Sequence, residues 1–527
     1  MLTADAHLAN DLGSACQRWA HRPATTGGGI TWTYRELGAR VAKMAKSYRE
    51  LGIAPGDRVV CGLRDRPELV AAVHAAWACG ATHVGVHNDL TGPELVSVVE
   101  RTGAAAVVFQ PGRRDDDPLA PLAAVARAAP GTRRIVLDAP VRPGECSLAE
   151  MLDEGSSHSD IPPPPPAGTL PVALFLTSGT TGRPKAAVET FPALLAKVRF
   201  FADSVGPGSD DVHLMYLPMA HAFGLKLSLL ALLSGGHIVL LERFAPEAAL
   251  ASITEHQVTV LPGTPTHFTL LLDALDERRH QVGSLRWGVT AAAPFSRELA
   301  QRVYDRLGIE LLSVYGCSEG FLVTTTRRDD ILAGSVGSSV FRGPPGSPPS
   351  GSVQVVDLDD GTPLPAGKLG EISFSTSAPV RYWGEPAVAV DGWYRSGDIG
   401  RIDPDGRLYI VGRTKDVINR GGLKVSSGEV EAVLCQHPQV SDGAVVAAPD
   451  PVLGEAICAC VVPAGPTIPT LAELRSFLGV GLARHKLPDE LCLVQEIPRS
   501  PIGKLDRRAL HEAVVGADLA RERLRPR

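Results

Sequence analysis

PVALFLTSGTTGRPKAAVETF, residues 171–191, is the stretch on which the fold turns. Its first seven residues are apolar or β-branched and read as a buried strand. They run directly into a loop of two glycines, three threonines and a serine ahead of a lysine. Small residues let a backbone approach an oxyanion closely, hydroxyl and N–H groups donate to it, and Lys185 adds a mobile positive charge. The candidate anion-binding residues are therefore Thr177, Ser178, Gly179, Thr180, Thr181, Gly182 and Lys185. The loop is not a Walker A loop, because Gly179 and Gly182 are three apart and Pro184 precedes the lysine. A helix is expected after it, around residues 192–201, so the stretch reads as strand, loop, helix.

Outward from this loop the chain alternates helices and strands. Upstream, residues 33–52 place Leu37, Val41, Met44, Ala45 and Leu51 at helical spacing, and GDRVVCGL follows as a short strand starting near Gly56. PELVAAVHAAWACGATHVGV and GPELVSVVERTGAAAVVF repeat the pattern, each a helix, a glycine break and a β-branched run. The prolines at 162–166 form an extended spacer that separates this first subdomain from the rest. Downstream, HIVLLER, VTVLPG, RWGVTAAAP and IELLSVYG continue the strands to about Glu319. Residues 337–411 turn to glycine, proline and short alternating runs, which suits antiparallel strands. After Gly412 a separate helix and strand pattern begins. The expectation is an α/β protein with a large N-terminal domain, residues 1–412, of layered α/β subdomains plus a β-rich subdomain. A small, mobile α+β C-terminal domain, residues 413–527, completes it.

Composition excludes several functions. The 52 Lys and Arg against 58 Asp and Glu leave a formal charge of −6, without the basic surface that non-specific nucleic-acid binding needs. Apolar residues at 44% and charged residues at 21% fit an ordinary globular chain rather than a disordered one. The nine cysteines show no C-x-x-C pair and no metal-ligand spacing with His, so they read as reduced thiols of a cytoplasmic protein. The N-terminus lacks the build of a secretory signal, and LKLSLLALLSGGHIVLLERF is broken by Lys226, a Gly-Gly pair and charges, so no membrane span is expected.

Four more stretches carry chemistry: VYGCSEG at 314–320, WYRSGDIG at 393–400, GRTKDVINRGG at 412–422 and PRSPIGKLDR at 498–507. With VALFLTSGTTGRPKAAV they resemble, in order, the phosphate-loop, Tyr-Gly-x-Ser/Thr-Glu, ribose-aspartate, hinge and C-terminal lysine motifs of the adenylate-forming enzymes. That superfamily comprises the acyl-CoA synthetases, peptide-synthetase adenylation domains and luciferases. The chain is most similar to free-standing acid:CoA ligases and aryl-acid adenylating enzymes, and the resemblance runs from about Thr33 to Arg507.

The resemblance implies an acid-thiol ligase. A carboxylic acid and ATP, with Mg²⁺, give an acyl-adenylate and pyrophosphate, and the thiol of CoA then displaces AMP. A separate carrier protein's phosphopantetheine as acceptor, or adenylation of an unusual small acid without CoA, is the alternative. It further implies that Lys504 is the catalytic cation of the first step, Glu319 the Mg²⁺ ligand and Lys415 the hinge, with Gly421 and Gly422 lining a pantetheine tunnel. Ala292, Ala293, Pro294, Tyr315, Gly316, Ser318, Asp398 and Arg413 join the phosphate loop around the nucleotide. Each makes chemical sense: a carboxylate can hold a hard cation beside phosphates, Tyr315 can stack on adenine, and Asp398 can accept from ribose hydroxyls. Alone, each would pass for a turn acid, a core aromatic or a surface charge.

His221, in LPMAHAFGLK, falls where the resemblance puts an aromatic or His beside the carboxylate pocket, with Ala222, Phe223 and Lys226 lining it. Lys226 stands in an otherwise apolar helix, where an unpaired ammonium is costly. It is expected to snorkel to solvent, the alternative being that it meets an anionic or polar substrate tail. The chain also departs from the motifs: the usual residues after the loop become Ala186 and Phe191, and Gly-Gly-Ala-Pro becomes Ala291-Ala292-Ala293-Pro294. Two rival classes remain, a nucleotide-binding scaffold without catalysis and a P-loop kinase. The first predicts decay at Lys504, Glu319 or Asp398, all intact, and the second needs the missing Walker A loop.

Overall fold

The computed structural model describes residues 8–112, 117–152, 161, 170–177, 185–293, 295–317, 322–340, 352–375, 381–386, 388, 392–421, 423–499, 505–516 and 521–523. The proline run at 162–166 lies outside them.

Two large sheets form the N-terminal part. In the seven-stranded sheet the order is Glu145–Ser147, Arg133–Val136, Ala106–Phe109, Arg58–Gly62, Thr82–Gly85, Pro171–Thr177 and Lys185–Thr190. All neighbours are parallel except the last pair. In the nine-stranded sheet Glu310–Gly316, Trp287–Ala291, Val260–Gly263, Val212–Met215 and His237–Leu240 form the parallel centre. Parallel strands need crossovers, and the expected helices supply them. Tyr34–Glu50 starts from a Thr33–Glu36 capping box and buries Leu37, Val41, Met44 and Ala45. Pro67–Ala78 is buried along its whole length. The largest core joins these helices to Phe191–Val205, Ala222–Leu233 and both sheets.

The loop at 178–184 is flanked differently from the expectation. A strand, Lys185–Thr190, precedes the helix Phe191–Val205 and pairs antiparallel with Pro171–Thr177, Thr177 opposite Lys185. The hairpin is decided by non-local pairing: Val188 N–H donates to Arg381 O and Trp383 N–H to Ala186 O, so the strand has partners on both sides.

The four-stranded antiparallel sheet Val353–Val356, Gly370–Ser375, Trp393–Ile402 and Leu408–Arg413 forms the expected β-rich part. After a 3₁₀ turn at Thr414–Asp416, the strands Val417–Arg420, Leu423–Ser426, Val440–Asp450, Gly454–Pro463, Glu490–Leu493 and Arg521–Arg523 make a six-stranded sheet. Helices Ser427–Leu434 and Leu471–Leu478 cover one apolar cluster of this unit, and Arg507–Val515 packs on another that holds Cys458, Cys460 and Cys492. The smaller unit touches the larger through the Lys424–Asp359 ion pair and through Ser426 Oγ, which donates to Val411 O at 3.1 Å. All nine cysteines are free. Among the described residues no helix is long and apolar enough to cross a membrane.

Candidate active site

Three of the motifs meet at one carboxylate. Tyr315, in the strand Glu310–Gly316, donates its hydroxyl to Asp398 Oδ2 at 2.8 Å. Arg413 Nε lies 2.8 Å from Asp398 Oδ1. Asp398 and Arg413 face each other across neighbouring antiparallel strands, next to a register shift between Ile399 and Gly400. Its backbone is held as well: Asp398 N–H donates to Ser396 Oγ, whose hydroxyl donates to Ile372 O at 2.8 Å. Burial first, and then the Asp398 charge, hold the Tyr315 phenol well above its usual range, so it stays a hydrogen-bond donor. The Tyr315 ring packs against Val323, Ile372 and Phe374, where the large sheet meets the four-stranded one.

Lys185 leaves the phosphate-loop hairpin toward the same region. Its ammonium lies 2.9 Å from Glu385 Oε2 and 4.7 Å from the centroid of Tyr382. The Tyr382 and Tyr394 hydroxyls are 2.9 Å apart, and Tyr394 shares the strand of Asp398. The lysine is thereby tied to the ribose-motif strand through two tyrosines that sequence reasoning did not single out.

His221 is the N-cap residue of the helix Ala222–Leu233, and its Nε2 lies 3.1 Å from Nε2 of His87, at the end of the strand Thr82–Gly85 in the other sheet. In such a pair one ring donates and the other accepts, so each tautomer fixes the other. The approach is close because Gly85 has no side chain: a Cβ there would lie 2.5 Å from Ala220 Cα. Ala222 and Phe223, at the start of the helix, are partly buried against the main core.

Lys226 does not snorkel. The helix is buried from Gly224 through Leu233, which gives a four-carbon stem no route to water. The Lys226 side chain is 4% exposed, with Nζ 3.5 Å from Glu189 Oε2. Lys197 donates to both oxygens of the same carboxylate, at 2.8 and 2.6 Å. Burial first, then the Lys197 charge, push the Lys226 ammonium down to about 8 against the pull of Glu189. The sequence signal for this cluster is that Glu189 in KAAVETF, Lys197 in PALLAKVRFF and Lys226 in LKLSLLALL each stand among apolar neighbours; of the three, sequence reasoning singles out Lys226 alone.

Other expected residues scatter around this centre. Ala292, exposed like Ala293, adopts a left-handed φ of 76°, the conformation the motif's usual glycine takes at no cost. Gly316 ends the Tyr315 strand. Lys415 is exposed in the 3₁₀ turn, and its neighbour Asp416 pairs with Arg507 at 3.1 Å, linking the hinge motif to the C-terminal lysine motif. Gly421 is left-handed, with φ 58°. Ser178, Gly179, Thr180, Thr181, Gly182, Pro294, Ser318, Glu319, Gly422 and Lys504 lie outside the described residues. Sequence reasoning also missed two buried hydroxyls, Tyr216 and Thr290, that have no hydrogen-bond partner among the described residues. Both flank Gly263: Thr290 is its register partner, and Tyr216 Oη would lie 3.2 Å from a Cβ placed there. They sit near the carboxyl ends of parallel strands, where open α/β sheets bind ligands.

Comparison with known proteins agrees with this arrangement. Residues 12–381 match the AMP-binding enzyme family and residues 429–504 the AMP-binding enzyme C-terminal domain. The chain is 34% identical to 2-hydroxy-7-methoxy-5-methyl-1-naphthoate–CoA ligase of Streptomyces carzinostaticus, over 96% of this chain and 93% of that one. It is 33% identical to 2,3-dihydroxybenzoate-AMP ligase of Bacillus subtilis (strain 168), over 94% and 92%. The crystal structure of ATP-bound MatB from Rhodopseudomonas palustris superposes with a TM-score of 0.82 at 26% identity, covering 95% of this chain and 99% of that one. With both parts matched in order, the chain belongs to the AMP-binding enzyme family, adenylate-forming ligases that activate an acid as an adenylate and transfer it to a thiol.

Proposed function

We propose that the protein activates a small carboxylic acid with ATP and transfers the acyl group to the thiol of CoA. The observation that carries this reading is the convergence of Tyr315, Asp398 and Arg413, from three separated motifs, on one carboxylate. Asp398 already accepts once on each oxygen, and a carboxylate has about four acceptor sites, so one remains on each for a vicinal ribose diol. The Tyr315 ring offers a face to adenine, and Lys185 with the loop at 177–184 serves the phosphates. The substrate carboxylate oxygen attacks the α-phosphorus, and the bond to the pyrophosphate oxygen breaks. Charge gathers on the phosphoryl oxygens as it does so, and Lys504 supplies a cation there that counts more in the transition state than in the ground state. The His87–His221 pair lies at the carboxylate end of the acyl pocket formed with Ala222 and Phe223. In the second step the thiol sulfur bonds the acyl carbon, the thiol proton leaves, and AMP departs with the carboxyl oxygen.

Glu319 would be the carboxylate for a nucleotide-bound Mg²⁺, an ion that takes one or two protein oxygens and keeps phosphate and water. The domain boundary is placed at 412/413, with rotation about Lys415 between the steps and a pantetheine path along Gly421 and Gly422. The 3₁₀ turn between the last strand of the four-stranded sheet and the first of the six-stranded one supports that position. The nine free thiols support a reducing, cytoplasmic setting.

A separate carrier protein is the second reading of the acceptor, favoured by the similarity to an aryl-acid AMP ligase. Pyrophosphate release over aryl, short-chain, dicarboxylic and amino acids, with and without CoA, tests the proposal. Acid-dependent AMP and pyrophosphate are expected, and acid-independent ADP would overturn it.

A further inference from the structure

A pocket of about 180 Å³ opens where the helices Leu12–Arg18, Pro67–Ala78, Phe191–Val205 and Ala222–Leu233 meet. It lies at the far end of the last of these from His221: Leu229 and Leu233, which line it, stand about 12 and 18 Å beyond that residue at about 1.5 Å per residue. Trp77 and Phe191 give it aromatic walls, their rings 6.1 Å apart and edge to face, and the Trp77 indole N–H already donates to Val172 O at 2.8 Å. Among the described lining residues the one charge is Asp11, whose Oδ1 accepts from Ser14 N–H at 2.7 Å, and no Lys or Arg faces it. The one buried polar side chain there is His74, 7% exposed. Its ring packs edge-on to Trp77, 4.8 Å between centroids, and makes no hydrogen bond to any described residue. Burial first, and then the neighbouring His83, push the His74 imidazole down to about 3, so one ring nitrogen is a donor and the other an acceptor. Leaving both unpaired in the interior is costly. Water serves them poorly: a pocket of this size holds several waters, each needing two to four polar partners, and Leu229, Leu233, Phe191 and the engaged Trp77 provide none.

We propose that this pocket is a second ligand site, separate from the one at Asp398, for an uncharged single-ring aromatic molecule bearing a hydroxyl group, with its ring against Trp77 and Phe191 and its hydroxyl on His74. Size and chemistry both select that class. A cavity of about 150 Å³ takes benzene, so a ring with one small substituent matches this one. A phenolic hydroxyl donates and accepts, and it therefore meets either tautomer of a neutral imidazole. An anion would lose its hydration beside the Asp11 carboxylate with no cation to replace it, which excludes both a carboxylate substrate and a nucleotide. An ammonium group offers only donors and would be stripped of water beside His74. The occupant would touch Phe191, which directly follows the strand of Lys185, and the helix that His221 caps.

Crystals of the full chain soaked in 4-bromophenol, read by the anomalous signal of bromine, locate the probe, and calorimetric titration measures its affinity in solution. Bromine is expected between Trp77, Phe191 and Leu233, with the probe oxygen within hydrogen-bond distance of His74. Soaks in 4-bromobenzoate and in 4-bromobenzylammonium should leave the pocket without bromine. His74→Leu should weaken 4-bromophenol by about 2- to 10-fold, the range of one neutral hydrogen bond, and leave bromobenzene bound as tightly or more so. Ala78→Leu, which fills the pocket from the helix Pro67–Ala78, should abolish binding of both probes. The wild-type soaks and titration decide the matter even where a variant fails to fold. Bromine found only elsewhere in the chain, or a pocket filled by ordered water or protein atoms alone, overturns the inference. So does binding at crystal concentration only, with no saturable binding in solution, or entry of the charged probes as readily as of the phenol. A folded His74→Leu variant that keeps the full preference for the phenol over bromobenzene also overturns it, since the hydroxyl would then be recognised by another group.

Discussion

Replacing Asp398 by alanine should separate sugar recognition from folding. In the folded protein Oδ2 accepts from Tyr315 at 2.8 Å and Oδ1 pairs with Arg413 at 2.8 Å, leaving about one acceptor site on each oxygen for a ribose hydroxyl. A hydrogen bond to a charged group contributes about 1.5–3 kcal/mol, and about 1.4 kcal/mol is a factor of ten. Loss of the carboxylate should lower kcat/KM for ATP by about 10- to 100-fold per ribose hydroxyl released, the two not adding fully. The fold should survive, because Arg413 is 50% exposed and an ion pair with an exposed partner contributes only about 0–1 kcal/mol. The assay is acid-dependent ATP–pyrophosphate exchange with ATP and with 2′-deoxy-ATP, alongside thermal unfolding. The wild type should prefer ATP by about tenfold or more, and in Asp398→Ala the two nucleotides should become nearly equivalent. A variant that keeps the wild-type preference for ATP refutes the reasoning, since the carboxylate would then hold Tyr315 and Arg413 without holding the sugar.

Three other perturbations probe different parts of the molecule. Lys504→Ala should abolish acyl-adenylate formation yet largely spare thioester formation from supplied acyl-AMP; equal loss of both half reactions would sink the two-conformation reading. Ala292→Gly relieves a left-handed alanine that costs about 1 kcal/mol, partly offset by glycine's extra unfolded-state freedom. Thermal unfolding should therefore show a small gain for Gly and a clear loss for Ala292→Val, and a loss for Gly would contradict the strain argument. Burial pushes the Asp65 carboxyl up to about 7, while Met219 N–H donates to it at 3.0 Å. Between about pH 4 and 7 the folded state keeps a proton that the unfolded chain has lost, so stability is full at the acid end and falls as pH rises through about 7. Asp65→Asn keeps an acceptor for Met219 without the charge, so it should unfold at a higher temperature than the wild type at pH 8, the gain shrinking as pH falls below about 7 and vanishing only near about pH 4. A gain independent of pH would show that the Asp65 charge is not what costs stability.

Much of this protein is legible in one dimension. The helices Tyr34–Glu50, Pro67–Ala78 and Gly92–Thr102, and the strands after them, follow from apolar period, capping residues and glycine breaks. Those signals are local and survive without knowledge of the partner. The same holds for Tyr315, Asp398 and Arg413, whose neighbours in sequence mark them even though 83 positions separate the first two.

What the chain could not disclose by itself depends on pairs distant in sequence. KAAVET becomes a strand because Pro171–Thr177 and residues 381–383 pair with it on either side, and no local propensity demands that. His87 meets His221 across 134 positions because the strand that ends at Gly85 comes against the turn at Ala220, just before the helix that His221 caps. Lys226 is the clearest case. A lysine in an apolar helix can reach water or be paired, and its sequence is the same either way. Only the burial of that helix from Gly224 to Leu233 closes the route to solvent, and only the packing of three elements puts Glu189 and Lys197 at its ammonium. The cost of stranding a charge in the core is fixed by what surrounds it in space, and that the tertiary structure alone decides.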